Sequence, residues 1–344
     1  MPSNPRWVHR PEGSTWGDFG ADDQLGRLNL LTPAKVRQGI AEVREGRTFC
    51  LSLPLDRPGG KALNPRRGPP VLSPTGPAEK PRWNQCLCHD EAGLLDVACD
   101  DKVEIALQYS TQWDALVHVG AMFDADGDGV PEPVYYNGFR AGTDVPDASQ
   151  AAASGRAFGA LKLGIENAAA HGVQGRGVLV DLFARFGETR RFVGYDDLMA
   201  ALDADRVAVE PGDILCLYTG FADLVMRMDG APDPAVLSHA CAVLDGRDAR
   251  LLRWISDSQI AAIAADNYAV EGLPARAFAG GANAAMPLHH HCLFKLGLPL
   301  GELWWFEALA AHLRAAGRNR FLLTAPPLRL PGAAGSPVTP IATV

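Results

Sequence analysis

The chain has 344 residues, of which 47% are hydrophobic and 21% are charged. This composition excludes a disordered, collagen-like or low-complexity chain. With 40 acidic against 32 basic residues, the formal net charge is −8, which excludes a general attraction to nucleic acid or to anionic lipid. No apolar run approaches the roughly 20 residues of a membrane-spanning helix, and the N-terminal segment lacks the apolar core of a secretory signal. We therefore expect a cytoplasmic protein that acts on a small molecule, with neither nucleic acid nor membrane as a partner.

The first part of the chain is predicted to be rich in loops. Residues 1–35 are polar with interspersed aromatic residues, which is typical of an arm wrapped on the body of a protein. Thr32, followed by a proline, predicts the start of a helix over 34–45, which a glycine ends. Residues 49–53 alternate as a strand does. Residues 56–82 are rich in proline and glycine, which predicts a long loop and a candidate lid.

The middle and late chain alternates between short apolar runs and helical patterns. Apolar runs of strand length predict strands at 103–107, 115–119, 177–180, 214–218, 259–264 and, near the end, 322–327. Helical patterns lie between them, at 158–171, 194–202, from 234 onward and at 248–256. This alternation, together with the loop-rich first half, predicts a single mixed α/β domain with a long N-terminal extension.

Three short motifs are interpreted as structural. Seven scattered cysteines favour reduced thiols, and the C-x-C spacing at 86–88 favours a buried strand over a structural zinc site, which would need paired C-x2-C units. The aspartates of 124–129 match the start of a calcium loop, but Tyr135 stands where a bidentate glutamate is required, so we favour a solvated acidic turn over a calcium site. The glycine-rich turn at 172–177 lies between a helix and a strand, the reverse of the order in a dinucleotide loop.

Two groups of residues carry the chemistry. In the first, Gln108, Gln112, Asp114 and His118 have even spacing, so an extended chain would point all four to one face. Such a polar face is costly to bury without partners. We therefore expect these four side chains either to line a polar cavity or to form a satisfied core network in which the aspartate orients the histidine.

The second group is the run His289, His290 and His291, followed by Glu302. Imidazole and carboxylate together form a common ligand set for zinc, manganese or iron. Because neighbouring side chains diverge in any regular backbone, at most one or two of the three histidines can face a common site.

These residues stand within motifs that resemble the cyclase family of metal-dependent hydrolases, which includes bacterial kynurenine formamidase and isatin hydrolase. The resemblance covers nearly the whole chain, through the segments 16–17, 22–29, 111–118, 176–181, 211–215, 265–267, 298–302, 325–328 and 335–337. It implies the cyclase-like fold of swivelling β/β/α type. Residues 1–60 would be an arm and extension packed on the body, and residues 61–344 the hydrolase domain. The family also implies a homodimer or homotetramer, in which the aromatic arm could swap onto a neighbour.

The family's first motif, H-x-G-T-H-x-D-x-P-x-H, supplies two histidines and an aspartate to the metal and a last histidine as general acid or base. Carried over by position, Gln108, Gln112 and Asp114 would be ligands, and His118 would be the catalytic imidazole with Asp114 as its orienter. The two amides replace imidazoles, and amide oxygens are harder and weaker ligands.

A later histidine and a glutamate twelve residues beyond it complete the family's metal site. That spacing selects His290 with Glu302, and His289 is the competing alignment. Three arrangements are open: one ion held by Asp114, one of these histidines and the glutamate; a harder ion such as manganese or magnesium held with the amide oxygens; or no metal, with the amides donating hydrogen bonds to a substrate carbonyl.

The resemblance implies hydrolysis of a carbon–nitrogen bond in an amide or cyclic amide, with zinc or manganese as cofactor. Trp113, Tyr136 and Phe139 are expected to form walls for a flat, apolar substrate. Two alternatives are a metal-free enzyme that cyclises or dehydrates a carbonyl compound by acid–base chemistry, and a member of the family that binds a ligand without catalysis.

Overall fold

A nine-stranded mixed sheet forms the centre of the molecule in the computed structural model, which describes residues 6–155 and 158–344. Including four smaller two-stranded sheets, the described strands are β1 Thr48–Cys50, β2 Val71–Pro74, β3 Gln85–Cys86, β4 Val97–Ala98, β5 Asp101–Glu104, β6 Gln112–Asp114, β7 Ala121–Phe123, β8 Glu132–Val134, β9 Gln174–Asp181, β10 Arg191–Val193, β11 Ile214–Tyr218, β12 Ala242–Leu244, β13 Ala262–Ala265, β14 Leu300–Glu302, β15 Arg320–Thr324, β16 Gly335–Pro337 and β17 Ile341–Thr343.

The order of the large sheet is β1-β17-β15-β9-β11-β13-β14-β6-β16. The four strands β9, β11, β13 and β14 are parallel, and the strands on either side of them run antiparallel. Strands β11 and β13 are buried along their whole length, as expected for parallel strands covered on both faces. The carboxyl ends of four parallel strands therefore meet at one edge, where ligands bind in open α/β sheets.

The helices are short and pack around this sheet. They are α1 Pro33–Ala41, α2 Ala148–Ala153, α3 Glu166–His171, α4 Leu182–Phe186, α5 Tyr195–Ala204, α6 Phe221–Arg227, α7 Pro234–Leu237, α8 Ala249–Ser258, α9 Pro287–His289 and α10 Glu307–Ala315. A π-helical stretch, His290–Leu296, follows α9, and single 3₁₀ turns occur at Gly26–Leu30, Leu87–His89 and Tyr136–Gly138. Within the described ranges, every helix is too short or too polar to cross a lipid bilayer.

The predicted mixed α/β fold is confirmed, and so are several of its elements. The strand predicted at 214–218 is β11, and the helix predicted at 248–256 is α8, whose first turn is capped by Asp248. The prediction of a strand at 115–119 is wrong, because the chain pairs at 112–114 and then turns, with the His118 N–H donating to the Ala115 carbonyl. The predicted helix at 158–171 is confined to α3.

The N-terminal arm packs on its own chain. Trp16 is fully buried, and its indole nitrogen donates to the Phe294 carbonyl oxygen at 2.8 Å. Farther along, the Arg27 guanidinium donates to the carbonyl oxygens of Ile255 and Ser256 at 2.7 and 2.6 Å. These contacts join the arm to the body of the chain, and exchange of the arm between subunits stays a prediction. The boundary at residue 60 stays a prediction.

A buried ion cluster fastens α1 to the sheet. The Asp213 carboxylate, fully buried before β11, accepts hydrogen bonds from Lys35 at 2.9 Å and from Arg176 at 2.9 and 3.0 Å. Lys35 comes from α1 and Arg176 from β9, so one carboxylate joins three elements. Because the cluster lies away from the strand ends that carry the polar site residues, we assign it to stability.

The predicted loop at 56–82 contains one strand, β2, and leads into two small antiparallel sheets, β2–β5 and β3–β4. The expectation that Cys86 lies as a reduced thiol in a buried strand is wrong, because Cys86 and Cys88 are joined by a disulfide in a largely exposed hairpin. Along β3 the Gln85 side chain is buried and that of Cys86 is half-buried, whereas Cys88 in the following turn is exposed.

Candidate active site

Two antiparallel neighbours, β6 and β14, carry most of the site. Their register pairs Gln112 with Glu302 and Trp113 with Gly301. Since side chains alternate along a strand, Gln112 and Asp114 point to one face and Trp113 to the other. Gly301 is required here, because a Cβ at this position would lie 2.8 Å from Trp304 Nε1 and 3.1 Å from the Trp113 ring.

The imidazole of the site comes from α9. His289 ends this short helix, which begins at Pro287 after the long loop that leaves β13. The Glu271 carboxylate, fully buried, accepts the backbone N–H groups of Leu288 and His289 at 3.0 Å each. The same carboxylate lies 2.8 Å from His289 Nδ1. Glu271 therefore holds both the backbone and the ring of His289 and leaves Nε2 directed at the site.

Asp114, His289 and Glu302 converge on one point. Each offers a ligand atom, and these atoms lie within 4.8 Å of one another. His289 Nε2 is 3.2 Å from Glu302 Oε1 and 3.8 Å from Asp114 Oδ2. All three residues are buried, with exposed fractions of 0% for Asp114, 2% for His289 and 3% for Glu302.

The electrostatics of this group favour a cation. Both carboxylate oxygens of Asp114 are buried and have no hydrogen-bond partner. Burial and the nearby Glu302 carboxylate raise the pKa of Asp114 above its ordinary value. Burial alone would lower the pKa of His289, but its hydrogen bonds to Glu271 and Glu302 outweigh burial and raise it. Three carboxylates thus surround one imidazole, and within the described ranges no lysine or arginine forms an ion pair with them.

A divalent ion fits this arrangement. Burying a charge is costly unless it is paired or coordinates a metal, and the free oxygens of Asp114 are the groups left to be satisfied. Carboxylate and imidazole ligands suit zinc and manganese. The hydrogen bond from His289 Nδ1 to Glu271 is the support that a metal-binding histidine usually has, because it fixes the tautomer and presents Nε2.

His118 is the member of the group that reaches solvent. It lies in the turn after β6, and its Nε2 is 3.9 Å from Asp114 Oδ1. Its side chain is 20% exposed, in contrast to the buried Asp114 beside it. The rings of His118 and His289 are 6.5 Å apart. His118 therefore lies between solvent and the buried group of Asp114, His289 and Glu302.

The two predicted amide ligands also lie beside the cluster. Gln112 Nε2 donates to Glu302 Oε2 at 3.0 Å. The side-chain oxygen Oε1 of Gln112 is buried without a hydrogen-bond partner. The Gln108 side chain lies over Gly335, where a Cβ would come within 2.7 Å of its Nε2. Gly335 is the register partner of Asp114. Coordination by either amide oxygen stays a prediction.

Other predicted site residues lie elsewhere. The alignment that selects His290 is not the one the geometry supports, since its ring lies against Phe294 at 5.0 Å and the cluster contains His289 instead. The three aromatic residues expected to contact substrate occupy core positions. Trp113 donates to the Ala325 carbonyl at 2.8 Å, Tyr136 is fully buried with its hydroxyl at Asp23, and Phe139 is 2% exposed beneath the Arg6 guanidinium.

Glu271 is not among the site residues predicted from the sequence. Its only sequence signal is an isolated carboxylate between apolar residues. Its position depends on two preceding residues, Ala269 and Val270, which have φ values of 77° and 57°. Left-handed backbone in a buried β-branched residue is strained, and strain of this kind is kept where the surrounding structure requires it.

The acidic turn after β7 is a separate group. Asp124, Asp126 and Asp128 lie close enough to share a cation, but Asp124 already accepts the backbone N–H groups of Gly127 and Gly129 at 2.7 and 3.0 Å. Such exposed turns are common without a bound ion. A solvated turn and a calcium site are therefore both compatible with the geometry, and the preference for a solvated turn stays a prediction.

Comparison with known proteins identifies the family. Residues 50–272 match the family model described as "Putative cyclase". The matched range is well over half of the chain, and the chain therefore belongs to this cyclase family. No curated protein sequence matches the chain significantly.

Solved structures agree with the assignment. The chain is similar to a structure described as a novel cyclase, with 31% identity and a TM-score of 0.74 over 96% of this chain and 97% of that one. It is also similar to isatin hydrolase A from Labrenzia aggregata, with 12% identity and a TM-score of 0.52 over 90% and 98%. An isatin hydrolase bound to the product analogue thioisatinate gives 14% and 0.53 over 90% and 95%. At these low identities the two hydrolases show a shared fold.

Proposed function

We propose that this chain is a metal-dependent hydrolase that cleaves a carbon–nitrogen bond in an amide or cyclic amide. The observation that carries the proposal is the buried group of Asp114, His289 and Glu302, in which both oxygens of the aspartate lack hydrogen-bond partners. Membership of the cyclase family and the fold shared with isatin hydrolases support the same reaction class.

Asp114, His289 and Glu302 would hold the ion, with Gln112 and Gln108 close enough to add amide oxygens. A bound zinc or manganese ion supplies Lewis acidity toward a carbonyl oxygen and lowers the pKa of water. Glu271 keeps His289 in the tautomer that presents Nε2, since the carboxylate takes the hydrogen bond of Nδ1.

His118 would move the protons. In the reaction, water adds to the carbonyl carbon, the carbon–nitrogen bond breaks, and the products are a carboxylic acid and an amine. An imidazole can take a proton from the water and give one to the leaving nitrogen. Asp114 Oδ1, 3.9 Å from His118 Nε2, stabilises the protonated imidazole between the two transfers.

The first test is elemental analysis of the purified chain. We expect about one equivalent of zinc or manganese, as for a three-ligand catalytic site, which Glu302→Ala loses and Glu307→Ala retains. Glu307 is a matched control because it is an exposed glutamate in the next helix. Turnover of isatin and of an N-formyl arylamine should then stop after chelation and return with metal.

Two results would overturn the proposal. A chain that takes up no metal on reconstitution and still turns over a carbonyl substrate would favour metal-free acid–base chemistry at His118. Tight binding of the amide without turnover would favour a ligand-binding role. Assembly as a homodimer or homotetramer and a cytoplasmic location stay predictions, which light scattering and cell fractionation can check.

A further inference from the structure

A cavity opens at the carboxyl ends of β11 and β13, next to the proposed active site. Its volume is about 290 Å³, and its walls include Leu63 from the 56–82 loop, Phe221 from α6, Leu237 from α7 and Tyr268. Asn267, which also lines the cavity, lies near the group of Asp114, His289 and Glu302. Its carbonyl oxygen accepts a hydrogen bond from the Leu303 N–H at 3.1 Å. Leu303 directly follows Glu302.

The lining of the cavity combines apolar side chains with the polar residues Ser238 and Asn267 and one cation. Arg190, half-buried just before β10, lines its wall. Its guanidinium donates to the Ala240 carbonyl oxygen at 3.4 Å and lies over the Phe192 ring at 5.5 Å. No carboxylate among the described residues is within ion-pair distance of Arg190, whereas the neighbouring Arg191 pairs with Asp197 at 2.7 Å.

An unpaired, half-buried guanidinium is an incomplete ion pair. Burial lowers the pKa of Arg190, and the Cys241 thiol opposes this effect only in part. Arginine remains charged in proteins and presents a fork of N–H donors that matches a carboxylate. A carboxylate that enters the cavity from solvent would complete an ion pair with this guanidinium.

A second, smaller cleft lies beside this cavity. The two share Leu63 and Tyr268, and the smaller cleft extends to Gln108. There, Arg67 donates to the Gln108 carbonyl oxygen at 2.9 Å. The larger cavity and the smaller cleft therefore lie side by side along the 56–82 loop, from Arg190 to Gln108.

We propose that this cavity binds the part of the substrate remote from the scissile bond, and that Arg190 pairs with a carboxylate there. The substrate class is then an amide that carries a carboxylate on an apolar, aryl-sized body. This inference rests on the proposed function for the reaction itself, but the subsite can be tested without catalysis.

The test is calorimetric titration of the full chain with 4-phenylbutyrate and with its neutral amide, 4-phenylbutyramide, before and after removal of metal with EDTA. The EDTA arm excludes direct binding of the carboxylate to an ion. We expect the carboxylate to bind roughly tenfold to a hundredfold more tightly than the amide, as for one charge-assisted pair. Arg190→Gln should abolish this preference, and the matched control Arg191→Gln should keep it.

A third variant, Ser238→Trp, places a large side chain at the exposed rim of the cavity. This variant should fold normally and bind both probes more weakly. Equal affinity for acid and amide, an unchanged preference in Arg190→Gln, or no binding of either probe would overturn the subsite. None of these results depends on metal or turnover. Failure of the hydrolase proposal would instead appear as absent metal or absent hydrolysis with the carboxylate preference intact.

Discussion

Replacing Glu271 by glutamine tests most directly whether Glu271 positions His289 in the proposed metal site. The two oxygens of Glu271 accept three N–H groups, at 3.0 Å from Leu288 N, 3.0 Å from His289 N and 2.8 Å from His289 Nδ1. Glutamine has one acceptor oxygen, so its amide group must oppose at least one of these donors. We expect zinc affinity to fall about tenfold to a hundredfold, the usual effect of losing such a supporting partner.

At about 1.4 kcal/mol per factor of ten, this change corresponds to roughly 1.4–2.8 kcal/mol, which matches the loss of one charge-assisted hydrogen bond. The assay is competition with a chromophoric zinc chelator on folded protein. Asp248→Asn is the matched control, because Asp248 also accepts three backbone N–H groups at a helix start, from Tyr195, Arg250 and Leu251. If Glu271→Gln binds zinc within twofold of the parent chain, Glu271 does not position His289.

Three further predictions concern the site and its support. His118→Ala should lower turnover by roughly 100- to 10,000-fold and leave metal content unchanged; equal loss of metal would show that His118 is a ligand. Gln112→His should raise the ratio of zinc to manganese affinity, because imidazole suits zinc better than an amide oxygen does, and an unchanged ratio would place residue 112 outside the coordination sphere. Asp213→Asn should lower the free energy of unfolding by about 3–5 kcal/mol in a urea titration, since it removes the buried carboxylate between Lys35 and Arg176 and leaves them only the half-exposed Glu210 as an ionic partner; folded protein should still bind metal normally.

The elements predicted best are those whose local pattern and tertiary role agree. Strand β11 is an unbroken apolar run because both of its faces are covered, and α8 has an aspartate cap. The predicted helix at 158–171 fails because its first part bonds elsewhere. Ala160 and Ile165 donate to the carbonyl oxygens of Gly332 and Ala333. The local sequence does not show that carbonyl groups of residues 332 and 333 compete for the N–H groups that a helix would use.

The residues of the candidate site also differ in how well the sequence predicts them. Asp114 is predicted because a polar strand face is costly to bury without partners. Glu302 is predicted because a carboxylate that follows a run of histidines completes a ligand set for a metal. The choice between His289 and His290 depends on the rotation of one short helix, which is set by the contact of its first turn with Glu271. Glu271 itself lies in a strained loop without periodicity, and only the folded chain brings it to His289.

The pairing of β6 has a consequence for how the protein is made. The strand that carries Asp114 lies between β14, at 300–302, and β16, at 335–337, and β1 pairs with β17. A nascent chain that has emerged through α9 would hold Asp114 with neither of its neighbouring strands. During synthesis Asp114 therefore remains on an unpaired strand until residues 300–302 and 335–337 have left the ribosome. Such late, non-local pairing is slow and prone to misassembly, so nascent chains of this protein should depend on chaperones that shield strand edges.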